Sequence, residues 1–291
     1  MDGILNIFKN KGMTSFDVVR VVRKVAKMKK VGHTGTLDPD ATGLLPVCLG
    51  RATKIIDYIM EEEKSYYVKF KLGMITSTYD LEGDVIEQKE CSHLSDKEII
   101  EAINNFKGEY MQIPPMYSAL KKDGVRLYTL ARQGIEIERE GRKINIIDIS
   151  NIKIDLPYVS MDVTCSKGTY IRSLCYDIGH NLGVGATVTE LSRTKTACFT
   201  EENSINIADL NENNILSNLI SIEEVLKRYP KIKVNKGYSK LLINGVRVGD
   251  KRLTYDDIKL DILYRVYDEN SDFIGLGKKN NEGFKIEKLL V

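Results

Sequence analysis

One carboxylate in this sequence sits in a setting suited to chemistry. From Gly32 to Lys54 the chain reads GHTGTLDPDATGLLPVCLGRATK, and Asp38 stands directly before Pro39. A proline biases the preceding residue to extended backbone, which helps fix the direction of the Asp38 carboxylate. The neighbouring glycines let main chain approach a bulky ligand. An isolated Asp in a loop is ordinarily a turn residue, so Asp38 gains a chemical reading only through partners. Arg172 is one candidate, because a guanidinium at a helix start opposes the helix dipole and requires an anion nearby, either phosphate or Asp38. Tyr66 and His33 are others. His33 has neither a metal-binding cluster nor a nucleophilic Ser or Cys at a recognisable spacing, which leaves hydrogen bonding or substrate contact.

The elements that must position these residues are legible as periodicities. Ser15 is placed to cap a helix in which Val18, Val19, Val22, Val25 and Ala26 recur at helical spacing. Arg20, Arg23, Lys24, Lys27, Lys29 and Lys30 occupy the remaining positions without an acid among them, the pattern of a solvated cationic face. From Gly32 to Gly50 glycine and proline indicate a long irregular segment, and long ordered loops tend to be functional. Tyr66, Val68, Phe70 and Leu72 alternate with polar residues as in a half-buried strand ending at Gly73. The Ser95 and Glu98 spacing is that of a capping box opening a helix. Strands are predicted over Ile144–Leu156 and Met161–Cys165, and then a helix through Ile171, Leu174, Cys175, Ile178 and Leu182 that stops at Gly183.

Ser221 and Glu224 predict a further short helix, and a boundary follows at Arg228 to Pro230. Beyond it, Lys231–Val234 and Ile262–Tyr267 read as strands. Asn244-Gly245, Asp268–Asp272 and Lys279–Gly283 read as turns. That tail has thirteen basic and nine acidic residues, a modest bias towards RNA.

Bulk properties bound the function class. With 291 residues the chain is long enough for two unequal domains, and 42% hydrophobic with 29% charged residues is an ordinary globular balance. A net charge of +2 makes no case by itself for a polyanionic partner. Five cysteines, widely spaced and without a C-x-x-C pair, indicate free thiols in a reducing compartment and no zinc site. No signal-like start or long apolar stretch is present, so a cytoplasmic protein without a membrane partner is expected.

The run from Gly32 to Lys54 resembles the catalytic-loop motif of the bacterial tRNA pseudouridine synthase B family. Other blocks match in the same order: GILNIFKNKGMTSFDVV, with Asn10 where a proline is usual; KSYYVKFKLG from Lys64 to Gly73, with Thr76, Thr78 and Asp80 beyond; QIPPMYSALKKDGVRLYTLARQG from Gln112; CSKGTYIRSL from Cys165; and LSRTKTACF from Leu191. The resemblance spans residues 3 to about 200. It implies an α+β catalytic domain over 1–228 with a mixed, largely antiparallel sheet and an RNA-gripping insertion over about 109–145. It also implies a small β-rich PUA-like RNA-binding domain over 229–291.

The resemblance further implies conversion of uridine 55 in the tRNA T-loop to pseudouridine, without cofactor or metal. Asp38 would be the nucleophile, attacking either ribose C1′ or uracil C6. Tyr66 would stack on the uracil and assist proton transfer from C5, and Arg172 would pair with Asp38 and the RNA phosphate. Asp80 would hold Arg172 as a second anion. Tyr170 and Leu191 would line the uracil pocket, His33 would fill the gap left by the everted nucleotide, and Lys64 would contact substrate. A monomer acting without guide RNA is expected. Three rivals remain: a guide-dependent rRNA synthase of the same fold, a non-catalytic RNA-binding protein, and a hydrolase with paired carboxylates. The last lacks an evident second carboxylate near the loop.

Overall fold

The computed structural model describes residues 1–249 and 257–291. Its main sheet runs in the order Ile205–Asn206, Gly3–Lys9, Thr42–Leu49, Ala186–Thr196, Lys64–Leu72, Tyr158–Cys165, Arg142–Asp155, Gly108–Gln112. Among the described residues, two pairings along this path are parallel: Gly3–Lys9 with Ile205–Asn206, and Thr42–Leu49 with Ala186–Thr196. The others are antiparallel. The fold is therefore α+β on a mixed, largely antiparallel sheet.

Lys64–Leu72 shows how the sequence builds this sheet. Tyr66, Val68, Phe70 and Leu72 are buried while Tyr67, Lys69 and Lys71 are half-exposed, the two-residue period of a pleated strand. Each such apolar side chain contributes roughly 1.5–3 kcal/mol on full burial. The helices Ser15–Ala26, Asp96–Asn104 and Ile171–Asn181 add Val18, Val22, Ile99, Ile103, Leu174 and Ile178 to the same core. The Ser95 capping box forms as expected, its hydroxyl accepting from the Glu98 amide.

Three expectations are corrected. The first helix is capped by Thr14, in a capping box with Asp17. Ser15 lies inside the helix because its hydroxyl instead bonds the Leu37 backbone. The irregular segment is shorter than 32–50, since Val31–His33 and Thr42–Leu49 are strands. Gly43 is required there for close approach, with φ at +103° and a would-be Cβ 2.3 Å from the Arg193 carbonyl oxygen. Pro46 still offers its carbonyl to the Thr34 amide at 3.0 Å. Lastly, Asn244-Gly245 closes a helix, Lys236–Ile243, rather than a hairpin. Asn235 caps that helix and Tyr238 and Leu242 fall on its buried face.

Among the described residues the C-terminal unit has a four-stranded sheet in the order Lys231–Lys233, Leu263–Tyr267, Phe273–Asn280, Gly283–Leu289. It has its own core around Ile232, Tyr238, Val266 and Phe284. A separate apolar cluster joins Leu276 and Leu290 to Ile4, Cys48, Phe199 and Leu226, tying the unit to the main sheet. All five cysteines are free thiols, and four are buried. Among the described residues no helix is long and apolar enough to cross a membrane.

Candidate active site

Asp38 lies in the loop 34–41 between two strands of the main sheet. Buried groups pin that loop from both sides. The fully buried Lys9 ammonium donates to the carbonyls of Asn10, Met13 and Pro39 at 3.0, 2.8 and 2.9 Å. Burial pushes its amine down to about 8, against the pull of Asp38 and Asp40. Ser15 Oγ accepts from the Leu37 amide at 2.8 Å. Arg193, 2% exposed, donates from Nε to the Leu44 carbonyl at 2.7 Å and from Nη2 to the Gly35 carbonyl at 3.2 Å.

Arg172, in the first turn of Ile171–Asn181, links two carboxylates. Its Nε is 2.9 Å from Asp38 Oδ2 and its Nη1 is 3.0 Å from Asp80 Oδ2. The same guanidinium donates to the Thr78 and Tyr117 carbonyls at 2.8 and 2.9 Å. Asp80 is held in turn by the Thr78 hydroxyl and by the Glu82 amide at 3.0 Å. The anion that the helix start required is thus present twice. Burial pushes the Asp38 carboxyl above its ordinary value, the Arg172 guanidinium opposes that rise, and Asp80 adds to it. The side chain keeps 39% exposure towards the cleft, so it is both anchored and reachable.

Tyr66 is buried opposite Arg193 in strand register. Burial pushes its phenol above the ordinary range, while Arg193 pulls it down, so the group at neutral pH is a hydroxyl. Tyr170 stands ahead of the Arg172 helix, where the Gln112 side chain bonds both its amide and its carbonyl, at 2.8 and 3.1 Å. His33 Nδ1 accepts from the Gly35 amide at 3.2 Å, and burial lowers the imidazole's affinity for a second proton. Lys64 turns its ammonium onto the Met60 and Glu62 carbonyls, and burial brings its amine to about 8.

A cavity of about 1380 Å³ brings together all eight residues singled out in the sequence: His33, Asp38, Lys64, Tyr66, Asp80, Tyr170, Arg172 and Leu191. One wall comes from the segment between Gly108–Gln112 and Arg142–Asp155, which supplies Tyr117, Ser118, Lys121, Arg126 and Arg132. Of the insertion expected over 109–145, the part that leaves the sheet is 113–141. Sequence reasoning missed Lys9 and Arg193 as site residues. Lys9 continues the phase of Leu5 and Ile7, which was the available signal, whereas bulges on either side of Arg193 break the alternation of its strand and left none. It also missed Glu82, and the expectation that no second carboxylate stands near the loop is corrected: Asp80 and Glu82 line the cavity with Asp38. Among the described residues no His, Cys, Asp and Glu cluster could hold a metal ion.

A half-exposed carboxylate in a cleft, ion-paired to a buried guanidinium and with an aromatic ring in the same cavity, fits the comparison with family models. The model for the N-terminal domain of TruB family pseudouridylate synthases matches residues 23–171, and that for the tRNA pseudouridylate synthase B C-terminal domain matches 172–229. The chain belongs to the TruB family of pseudouridylate synthases. The junction of the two matches falls within the Arg172 helix, and Ala186–Thr196 lies between strands of the first match. The two matched segments therefore share one helix and one sheet. A Clostridium perfringens protein named tRNA pseudouridine synthase B is 60% identical over all of this chain and 99% of its own length. One of the same name from Clostridium tetani is 58% identical over the full length of both. Among solved structures, a chain of a Cbf5-Nop10-Gar1 complex superposes with a TM-score of 0.76 at 26% identity, covering 99% of this chain and 85% of that one.

Proposed function

We propose that this TruB family member isomerises uridine 55 in the T-loop of tRNA to pseudouridine, by everting the base into the cleft and attacking it with Asp38. The observation that carries this reading is the guanidinium of Arg172 bridging Asp38 and Asp80 at the edge of the cavity. A nucleophilic carboxylate must be ionised, and a fixed cation in a partly dry site favours that form. Asp38 adds to C1′ or C6, the N1–C1′ bond breaks, the uracil turns, C5 bonds to C1′, the bond to Asp38 breaks and frees the carboxylate, and the proton lost from C5 is balanced by one gained at N1. Nothing is consumed, so the step is an isomerisation and needs no cofactor.

Tyr66 stacks on the everted uracil, and Tyr170 and Leu191 close the pocket around it. His33, in the cavity lining, faces the space that the nucleotide vacates. Lys64 supports the pocket edge from its carbonyl partners, and Asp80 positions Arg172. The insertion with Lys121, Arg126 and Arg132 grips the T-stem-loop. Residues 1–228 form the catalytic domain and 229–291 a PUA-like RNA-binding domain. The chain acts as a monomer in the cytoplasm without guide RNA, in keeping with its 60% identity to a protein named for tRNA.

Incubating the protein alone with an unmodified tRNA transcript, followed by mapping of pseudouridine, tests this. Product at position 55 is expected, and a requirement for an added guide RNA would overturn it. A hydrolytic reading gains a second carboxylate in Asp80, yet both its oxygens are engaged by Thr78, Glu82 and Arg172. Free uracil in the same assay would revive that reading.

A further inference from the structure

The helix Ser15–Ala26 has a face that the chemistry above does not use. Phe16 in its first turn is 54% exposed, while Val18, Val19 and Val22 of the same helix are buried in the core. Core packing therefore gives no reason for a phenyl ring at this position. The Arg20 and Arg23 guanidinium carbons lie 5.7 and 5.6 Å from the ring centroid. Phe16, Arg20, Arg23, Lys24 and Lys27 share one side of the helix by their spacing. Arg20 and Lys27 form ion pairs with Asp17 and Glu212, and Arg23 also donates to the Val31 carbonyl. Phe16 lines the same cavity as Asp38, as do Thr14 and Thr36. The ring thus stands at the rim of the pocket rather than on a remote surface.

An aromatic face flanked by guanidinium groups suits a nucleobase and its phosphate. Everting the target uridine also unstacks its neighbours in the strand, and those bases need a new surface. We propose that Phe16 is a second stacking platform, at the mouth of the cleft, for the base of a nucleotide next to the everted uridine, with Arg20 and Lys24 facing the adjoining backbone. This rests on the reading of the cleft as a uridine pocket in RNA.

The test measures binding of a T-stem-loop by the full chain carrying Asp38→Asn, with Phe16→Ala or Phe16→Trp added. Phe16→Ala is expected to raise Kd about tenfold and Phe16→Trp to stay within about twofold of the parent. The Ala penalty should vanish with a stem-loop made abasic at one nucleotide flanking the target. A Kd for Phe16→Ala within about twofold of the parent overturns the platform, as does a penalty that persists with both flanking abasic RNAs. Pseudouridine formation by the unaltered chain on the intact stem-loop is measured alongside. Product there with no Phe16 effect sinks the platform alone, whereas no product sinks the reading on which it rests.

Discussion

Residues 34–41, which carry Asp38, and residues 113–141, which face them across the cleft, are both largely irregular chain, yet they are held in different ways. The first segment is fixed by fully buried donors: the Lys9 ammonium on the Pro39 carbonyl, the Arg193 guanidinium on the Gly35 carbonyl, and the Ser15 hydroxyl on Leu37. The second buries Met116, Ser118 and Leu127 but leaves Ile113, Lys121, Lys122, Arg126 and Ile135 exposed. Buried cations on backbone carbonyls resist displacement, because removing either partner leaves a desolvated polar group unpaired. Segments with few buried apolar contacts open at low free energy. The floor is accordingly organised before substrate arrives, and the wall is suited to closing on it. Substitutions in the floor should change the chemical step or the fold, and those in the wall should change RNA affinity.

The largest expected effect is at the floor's carboxylate. Asp38→Asn should lower single-turnover pseudouridine formation by more than about a thousandfold while leaving RNA affinity within a few fold. Equal loss of both would make Asp38 a structural residue. Tyr66→Ala should remove about 1–3 kcal/mol of base stacking, read as a slower single-turnover rate, and an unaltered rate would take Tyr66 out of the site.

Arg193→Met should destabilise the fold by about 1–3 kcal/mol, since the Leu44 and Gly35 carbonyls lose their donor. Urea melts check this, and an unshifted midpoint would mean that the floor is not held as described. The smallest effect belongs to the wall. Lys121→Ala with Arg126→Ala should weaken RNA binding with a salt dependence shallower by about one per lost phosphate contact, without moving the urea midpoint. A lowered midpoint would erase the distinction between wall and floor.

Much of this is legible in the sequence, for physical reasons that can be named. Tyr66 to Leu72 announced a strand because one of its faces is buried and the other is not. Ser95 and Glu98 marked a helix start because the two side chains satisfy each other's backbone amides. Failures arose where tertiary contacts override local preference. Ser15 has a capping residue's chemistry, but Leu37 claims its hydroxyl. Gly43 reads as loop until the approach of the Arg193 backbone explains it, and Asn244-Gly245 suits a helix end as well as a hairpin. In the cleft, the resemblance to known motifs singled out the eight residues that converge on the cavity. Lys9 and Arg193 escaped because a charged side chain in a strand is ordinarily outward, and only the folded chain brings their carbonyl partners, mostly in loops, to them.

The ionisation of Asp38 by Arg172 is the claim on which the account depends, and kcat/KM against pH tests it most directly. Activity needs the carboxylate, so it is present above the folded-state pKa of Asp38 and lost as pH falls through it. Burial places that acidic limb above the ordinary value of 3.8. In Arg172→Gln the opposing guanidinium is gone, so the limb should move to higher pH. An acidic limb at the same pH in both proteins would contradict the account.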